Sequence, residues 1–413
     1  MNIILNRSKR FCGYLVGIVF FISGVLKLLD PTGTSMIVDE YYKFMHLDFL
    51  SFSAKPVAVV VSMAESLIGA ALITGVWRRI TAMATLTAMG VFMLISMALL
   101  IFNPVMDCGC FGEAVHLTHA QTFVKNLILS VLSCISFFPF SALGRPKKRK
   151  YVAFSMVTAG LILFAGYSLL YIPVVDFTDY SASARLEASE RFTGRALAVD
   201  DEYEAVFIYE KNGRTREFTL DDLPDSTWTF VSAETVKKET PKTDESVISL
   251  PVIDETGEYH DRLATGHKVM VVSVYAPENL SPRKWKVLAR YLRSVSENGF
   301  RPLLLVAASP EKGREILSGF GDMDGMDMDV MERSLFYSDY KTLITLNRSN
   351  GGATYFADGF LVKKWSFRGL PGENRIAELG QEDPTEPLLS YGTAGNLLFQ
   401  AFLLYSFAVM LLL

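Results

Sequence analysis

Cysteine is scarce in this chain: four residues in 413, and none after Cys134. Everything downstream of that position therefore lacks the means to exchange a disulfide by itself. A glycine-rich dinucleotide fingerprint, a phosphate-binding loop and a Ser/His/Asp arrangement are also missing, which removes the commonest nucleotide-dependent and hydrolytic activities. Basic residues form only short runs beside apolar segments, and the net charge is -4. Such a balance implies no large basic surface and gives no support to nucleic-acid binding. What the chain has in excess is apolar surface: half of its residues are hydrophobic and the mean hydropathy is positive, so the composition points to a membrane.

Six apolar stretches approach or exceed the ~20 residues that a helix needs to cross a bilayer: 11–29, 56–77, 80–102, 118–140, 151–172 and 393–413. Helices are required, because a lone strand in lipid leaves its backbone unpaired. The first run is not a removable signal, since Lys27-Leu28-Leu29-Asp30-Pro31 offers no small-residue cleavage site. Arg7, Lys9 and Arg10, then Arg78 and Arg79, then Arg145 and the basic residues to Lys150 fall on one face, which the positive-inside rule assigns to the cytoplasm. A bacterial inner membrane is expected, crossed six times. The loop around residue 110 and the large segment after residue 172 then face an oxidising periplasm.

In that outer loop, Asp107-Cys108-Gly109-Cys110-Phe111-Gly112 places two cysteines one residue apart. Adjacent Cα atoms are ~3.8 Å apart, so residues i and i+2 reach the roughly 4.4–6.8 Å window of a disulfide. Gly109 permits the backbone angles of the small ring, and ring strain makes such a bond oxidising. Cys108 and Cys110 are thus a candidate redox pair; a structural link in a tight turn and a soft-metal site are the competing readings. Cys12 and Cys134 lie nearer the cytoplasmic face and read as small core residues. No metal site is assigned. The Met/Asp run at 322–331 mixes thioether and carboxylate ligands that favour different ions, and Gly325 is out of EF-hand register.

Ionisable residues within the spans require partners or a pathway. Glu65 and Lys125 both lie roughly 10–14 Å below the outer face. They are expected either to pair as a structural bridge, or to form a proton relay or the polar end of a quinone pocket. Lys27, near the outer end of its helix, is expected to snorkel to the interface. His116 and His119 flank the cysteine loop, where they either modulate thiol pKa or are simply solvated.

The outer segment reads as α/β. An alternating strand, an Asn212-Gly213 turn and a second strand begin it as a hairpin, and a polar linker covers 237–245. Strands at 268–275 and 302–308 alternate with helices at 282–297 and 311–319. A hairpin around Asp358-Gly359 follows, and an acidic stretch at 371–387 reads as a surface loop.

Ser23-Gly24-Val25-Leu26-Lys27 with Asp30-Pro31, the Glu40-Tyr41-Tyr42-Lys43-Phe44 segment, Glu65 with Gly69 and Gly75, and above all Cys108-Gly109-Cys110-Phe111-Gly112 resemble the DoxX-like family, specifically its methylamine-utilisation MauE branch, over roughly residues 8–142. The resemblance implies a four-helix redox-associated membrane protein linked with disulfide processing of periplasmic partners, arranged similarly to vitamin K epoxide reductase and disulfide-oxidase bundles. Nothing in the residues indicates amine oxidation. Residues 246–372 resemble a thioredoxin-like domain of the membrane-tethered thiol-reductase type, with a departure: Asn279-Leu280-Ser281-Pro282 stands where that family carries Cys-x-x-Cys, and Ala353 falls near its substrate-binding cis-proline. Asn279, Pro282 and Ala353 therefore mark a degenerate site used for docking.

The expected fold is a polytopic α-helical membrane bundle of six spans plus a periplasmic α/β thioredoxin-like domain. Its parts are 1–144 (four-helix bundle), 145–172 (basic loop and fifth span), 173–245 (hairpin and linker), 246–390 (thioredoxin-like) and 391–413 (sixth span). Two function classes follow. In one, the protein relays disulfides or electrons between an envelope protein partner and a quinone or separate thioredoxin. In the other, it is a non-enzymatic scaffold in contact with membrane lipid.

Overall fold

The computed structural model describes residues 2–103, 109–138, 148–182, 184–186, 203–211, 214–218, 229–237, 247–319 and 328–412. The first 170 residues build α1 (Asn2–Leu29), α2 (Pro31–Phe44), α3 (Ala54–Thr74), α4 (Arg78–Phe102), the short strand β1 (Cys110–Glu113), α5 (His119–Phe137) and α6 (Lys148–Leu170). All of these helices except α2 are long and apolar enough to cross a membrane.

Local chemistry sets the boundaries. Asp30 caps α2 by accepting the Gly33 N–H at 2.9 Å, with Pro31 at the first helical position, where its missing N–H costs nothing. Thr118 and Gln121 form a reciprocal capping box at the start of α5. Between α3 and α4 the turn is only three residues, with Gly75 and Trp77 both left-handed. The Trp77 ring meets Tyr151 and Phe154 edge-on at 5.5 and 5.3 Å, which fastens that turn to α6.

Helix α1 is the axis of the bundle, running along α3 and touching α5 and α6, while α4 leans on α5. Small residues allow the α1/α3 approach. A Cβ built on Gly69 would stand 2.3 Å from the Phe21 backbone nitrogen, which cannot swing aside as a side chain can. Gly69→Ala, which adds only that Cβ, is already expected to destabilise the bundle by about 1–3 kcal/mol, seen as a lower melting temperature in detergent, with Gly69→Leu worse.

Beyond α6 the chain forms two sheets. A three-stranded antiparallel sheet has the order β4-β3-β5, from β2's successors β3 (Tyr203–Lys211), β4 (Arg214–Phe218) and β5 (Thr229–Lys237), where β2 is Arg185–Leu186. The expected hairpin is β3/β4; the third strand, which ends where the polar linker was expected to start, makes it a sheet. The larger sheet has the order β6-β2-β11-β10-β7-β8-β9, with β6 (Val247–Ile248), β7 (Val269–Val274), β8 (Arg301–Val306), β9 (Leu335–Tyr337), β10 (Gly352–Ala357) and β11 (Phe360–Trp365). Strands β7, β8 and β9 are parallel, and β10 runs antiparallel to both β7 and β11.

Helices α7 (Pro282–Glu297), α8 (Pro310–Ser318), α9 (Met328–Ser334), α10 (Tyr340–Leu346) and α11 (Glu373–Gln381) cover this sheet. Every residue of β7 is buried: Met270, Val272 and Val274 pack with Trp285, Leu288 and Leu292 of α7, while Val269 and Val271 face the opposite core with Leu343 and Leu346. That two-sided burial is why β7 reads as an unbroken apolar run. The 371–387 stretch, expected as a loop, instead contains α11. Its Ile376 and Leu379 share one face and reach the core, and its acidic residues are the solvated side, where Arg375 meets Glu378 and Glu382 at 2.8 and 2.6 Å.

The last helix, α12 (Thr385–Leu412), starts eight residues before the expected span. It lies against α6, with Phe164 and Phe402 stacked at 4.7 Å, and reaches α1 through Phe21 and Phe407 at 5.3 Å. Lys150 donates to the Met410 carbonyl at 3.0 Å, satisfying an acceptor that the end of the helix leaves open.

Candidate functional site

Ser23 and Lys27 are four residues apart on α1 and so lie on one face, which looks across at Glu65 on α3. Lys27 Nζ sits 2.7 Å from Glu65 Oε2, with the two side chains only 10% and 7% exposed. Two expectations are corrected here. Glu65 pairs with Lys27 and not with Lys125, and Lys27 does not snorkel to the interface, because α2 and β1 cover that end of α1. Ser23 Oγ is 2.6 Å from the Cys110 carbonyl and 3.3 Å from Glu65 Oε2; its single proton serves the shorter contact. Ser23 therefore fastens the cysteine loop to α1 beside the buried ion pair.

Cys110 opens β1 and is half buried, its Sγ 4.0 Å from Thr122 Oγ1. The residue before it must be glycine for two reasons: Gly109 has a φ of 60°, and a Cβ there would come within 2.5 Å of Ile37 Cγ2. Cys108, the other half of the expected pair, lies outside the described residues. Helix α5 adds Thr122, Lys125 and Asn126 on the same side. Asn126 Nδ2 donates to the Phe92 carbonyl at 3.3 Å, and Lys125 Nζ stands 4.9 Å from the centre of the Phe111 ring.

These groups form the polar end of a cavity of about 370 Å³ enclosed by α1–α5. Phe20, Met89, Phe92, Leu99 and Leu129 are part of its largely apolar lining, which also includes Ser23, Lys27, Glu65, Cys110, Lys125 and Asn126.

The sheet domain closes over that end. The turn between α10 and β10 carries Arg348, whose side chain is 5% exposed. Its Nε donates to Asp30 Oδ2 at 2.7 Å, its Nη2 lies 3.2 Å from Glu113 Oε1, and its Nη1 donates to the Ile344 carbonyl at 3.2 Å. Burial works against the guanidinium charge, but Asp30, Glu113 and Asp176 outweigh it and hold its pKa above the usual value. Asn347 and Asn350 shape the turn. Asn347 bonds the carbonyls of Ala353 and Trp365, and Asn350 exchanges two hydrogen bonds with the backbone of Ala276. One more bridge, Lys364 to Asp176 at 2.5 Å, fastens β11 to the segment leaving α6; burial pulls the lysine's pKa down while Asp176 opposes it.

Asn279 and Pro282 are exposed. Asn279 ends a short 3-10 turn, and Pro282 starts α7. That turn sits directly beside the Arg348 turn through Ala276 and Asn350. Ala353, in contrast, is fully buried in β10 and joins the core, not a cleft. His116 lies exposed in the loop before α5 and His119 is its first residue. Cys12 is half buried and Cys134 exposed on the bundle's outer side.

Sequence reasoning did not assign roles to Ser23, Thr122, Asn126, Glu113, Asp30 or Arg348. Thr122 and Asn126 were findable, because they recur at helical spacing beside Lys125 in an apolar run. Arg348 carries no such signal.

Residues 5–139 match the family model of methylamine utilisation protein MauE, so the membrane bundle up to α5 is a MauE-family domain. Residues 203–239, the three-stranded sheet, match the model of a domain of unknown function, DUF8463. Neither a curated protein nor a solved structure matches the chain.

Proposed function

We propose that the protein is an inner-membrane thiol-disulfide relay whose Cys108/Cys110 pair serves an envelope protein partner, capped by a thioredoxin-like domain that has no thiol of its own. The observation that carries this reading is the position of Cys110, which lines the cavity inside the bundle and opens the short strand whose Glu113 meets Arg348 of the sheet domain. Ser23 holds the Cys110 carbonyl against α1 beside the Lys27–Glu65 pair, so the residue that carries the thiol is fixed at the cavity.

The thioredoxin-like assignment is supported by the order β8-β7-β10-β11, with β7 and β8 parallel and β10 and β11 antiparallel, by α7 crossing between the first two strands, and by α11 following the last. The periplasmic placement is supported by charge. Arg78 and Arg79 lead α4, Lys148 to Lys150 lead α6, and Lys9 donates to the carbonyl of Phe138 at the end of α5, all at the ends remote from Cys110.

In the relay, a partner thiolate attacks the Cys108–Cys110 disulfide and one of these sulfurs leaves as thiolate. A second partner thiolate then attacks the mixed disulfide and releases the other sulfur, so the partner is oxidised and the pair reduced. The family's name speaks of methylamine utilisation, and we read the role in any such pathway as accessory, through the Cys108/Cys110 pair.

Acid quenching of cells followed by alkylation should show Cys108 and Cys110 cycling between oxidised and reduced forms. Cys110→Ser should trap a covalent partner through Cys108 that disappears on reduction. A pair that never changes state and is dispensable for growth would leave the second reading, a non-enzymatic scaffold. That alternative is favoured by one observation: a cysteine-free domain is bolted through Arg348 onto Glu113, in the same short strand as Cys110.

A further inference from the structure

Three charged side chains line the bundle cavity, and they do not cancel. Lys27 and Glu65 neutralise each other at 2.7 Å, which leaves Lys125. Among the described residues no carboxylate pairs with its amine, and the face of the Phe111 ring stands near it at 4.9 Å. A ring attracts a cation more weakly than an anion does, so a lone ammonium on the wall of a largely apolar chamber within membrane-spanning helices calls for a counter-ion.

Thr122 stands one turn before Lys125 on the same face of α5 and also lines the cavity. Only 2% exposed, it accepts from Cys110 Sγ at 4.0 Å, yet among the described residues its own proton has no acceptor. Two donors three residues apart therefore face the cavity with nothing to receive them. Elsewhere the lining is apolar. Met45 at the end of α2, Val61 of α3 and Ile95 of α4 belong to it while 52%, 42% and 40% exposed on the outside of the bundle, so the cavity opens sideways among these helices, toward the surrounding bilayer.

A ligand that matches both features has a carboxylate at one end and a hydrocarbon chain behind it. A neutral lipid would leave the ammonium without its anion. We infer that the cavity seats a free long-chain fatty acid, its carboxylate held by Lys125 Nζ and Thr122 Oγ1 and its chain following the apolar lining to the opening at Val61 and Ile95. This site goes beyond the relay reading and does not depend on it. It bears on the thiol nonetheless, because an anion held at Thr122 covers Cys110 and adds negative charge beside it.

The test uses the full-length protein in phosphatidylcholine nanodiscs and a stearic acid that carries a diazirine in mid-chain. Illumination followed by peptide mass spectrometry should place the label on cavity-lining residues of α3 and α4. Excess oleate should suppress it, and oleyl alcohol, which has the chain without the charge, should not. Lys125→Met should weaken competition by oleate roughly tenfold, equivalent to about 1.4 kcal/mol in binding, and Lys125→Arg should restore it. Thr122→Val keeps the shape and removes the second donor; its several-fold loss carries the same test should Lys125→Met fail to fold. Oleate should also slow alkylation of Cys110, read on its own peptide. The assignment fails if oleyl alcohol competes as well as oleate, if Lys125→Met or Thr122→Val, folded, binds oleate like wild type, or if the label stays on outward-facing residues such as Leu94 and Leu163. It fails too if phosphatidylglycerol in the nanodisc suppresses the label as oleate does, which would make the cavity a phospholipid seat. None of these results touches the relay reading, which acid quenching and partner trapping decide.

Discussion

Replacing Arg348 with alanine should uncouple the sheet domain from the membrane bundle and destabilise the protein by about 3–5 kcal/mol, the usual result of removing one partner from a buried charge cluster. The size follows from what stays behind. Asp30 and Glu113 would face each other across a dry interface with no cation between them, and the Ile344 carbonyl would lose its donor. Asp30 would keep its capping bond to Gly33, so α2 itself should survive. The damage should be read at the interface: limited proteolysis should cut faster in the segments that join the sheet domain to α6 and α12, and Cys110 should alkylate faster because Glu113 no longer pins its strand. Arg348→Lys should be only a partial rescue. An ammonium keeps the charge but cannot direct Nε, Nη1 and Nη2 at three different acceptors. Retained interdomain protection in Arg348→Ala would show that the cluster does not hold the two halves together.

The second large effect is expected at Glu65. Glu65→Leu strands the Lys27 ammonium in the bundle interior, where it is nearly excluded from solvent, and should again cost about 3–5 kcal/mol. Lys27→Met with Glu65→Leu should recover most of that loss, because a well-packed apolar pair of similar volume is commonly neutral relative to a buried ion pair. The double variant separates stability from chemistry. If it melts like wild type and still exchanges disulfides at the wild-type rate, the pair is a structural bridge. If it melts like wild type and is slow, the charges serve the reaction. We expect the first outcome, since the Ser23 proton goes to the Cys110 carbonyl and leaves the Glu65–Lys27 pair without a bonded link to the thiol.

The sequence makes some of this legible and hides the rest for identifiable reasons. Membrane helices declare themselves because each is a long apolar run, and β7 and β8 do so because burial on both faces leaves no polar alternation. The hairpin between β10 and β11 is equally plain: Asp358 and Gly359 both have positive φ, 50° and 81°, as a type I′ turn requires. Two-residue strands such as β2 and β6 are too short to show any period. Helix α11 is masked by its own acidic face, which reads as a loop unless Ile376 and Leu379 are recognised as a three-residue repeat. The ion pairs are the hardest to foresee. Depth alone favours Lys125 as the partner of Glu65 and puts Lys27 nearer the interface, whereas the close packing of α1 on α3 at Gly69 accompanies a Lys27–Glu65 pair. Arg348 meets a carboxylate 318 residues away in the chain, and no local pattern announces such a pair.

The placement of α6 against α12 fixes how the outer domain is mounted. It stands on two adjacent stalks and not on one, joined to each other by the Lys150 contact at the ends remote from the sheet domain. A singly rooted domain can swivel freely; one rooted twice resists torsion. It is also hard to shed, since scission of either stalk alone leaves the other carrying the load, and release into the surroundings needs two separate cuts.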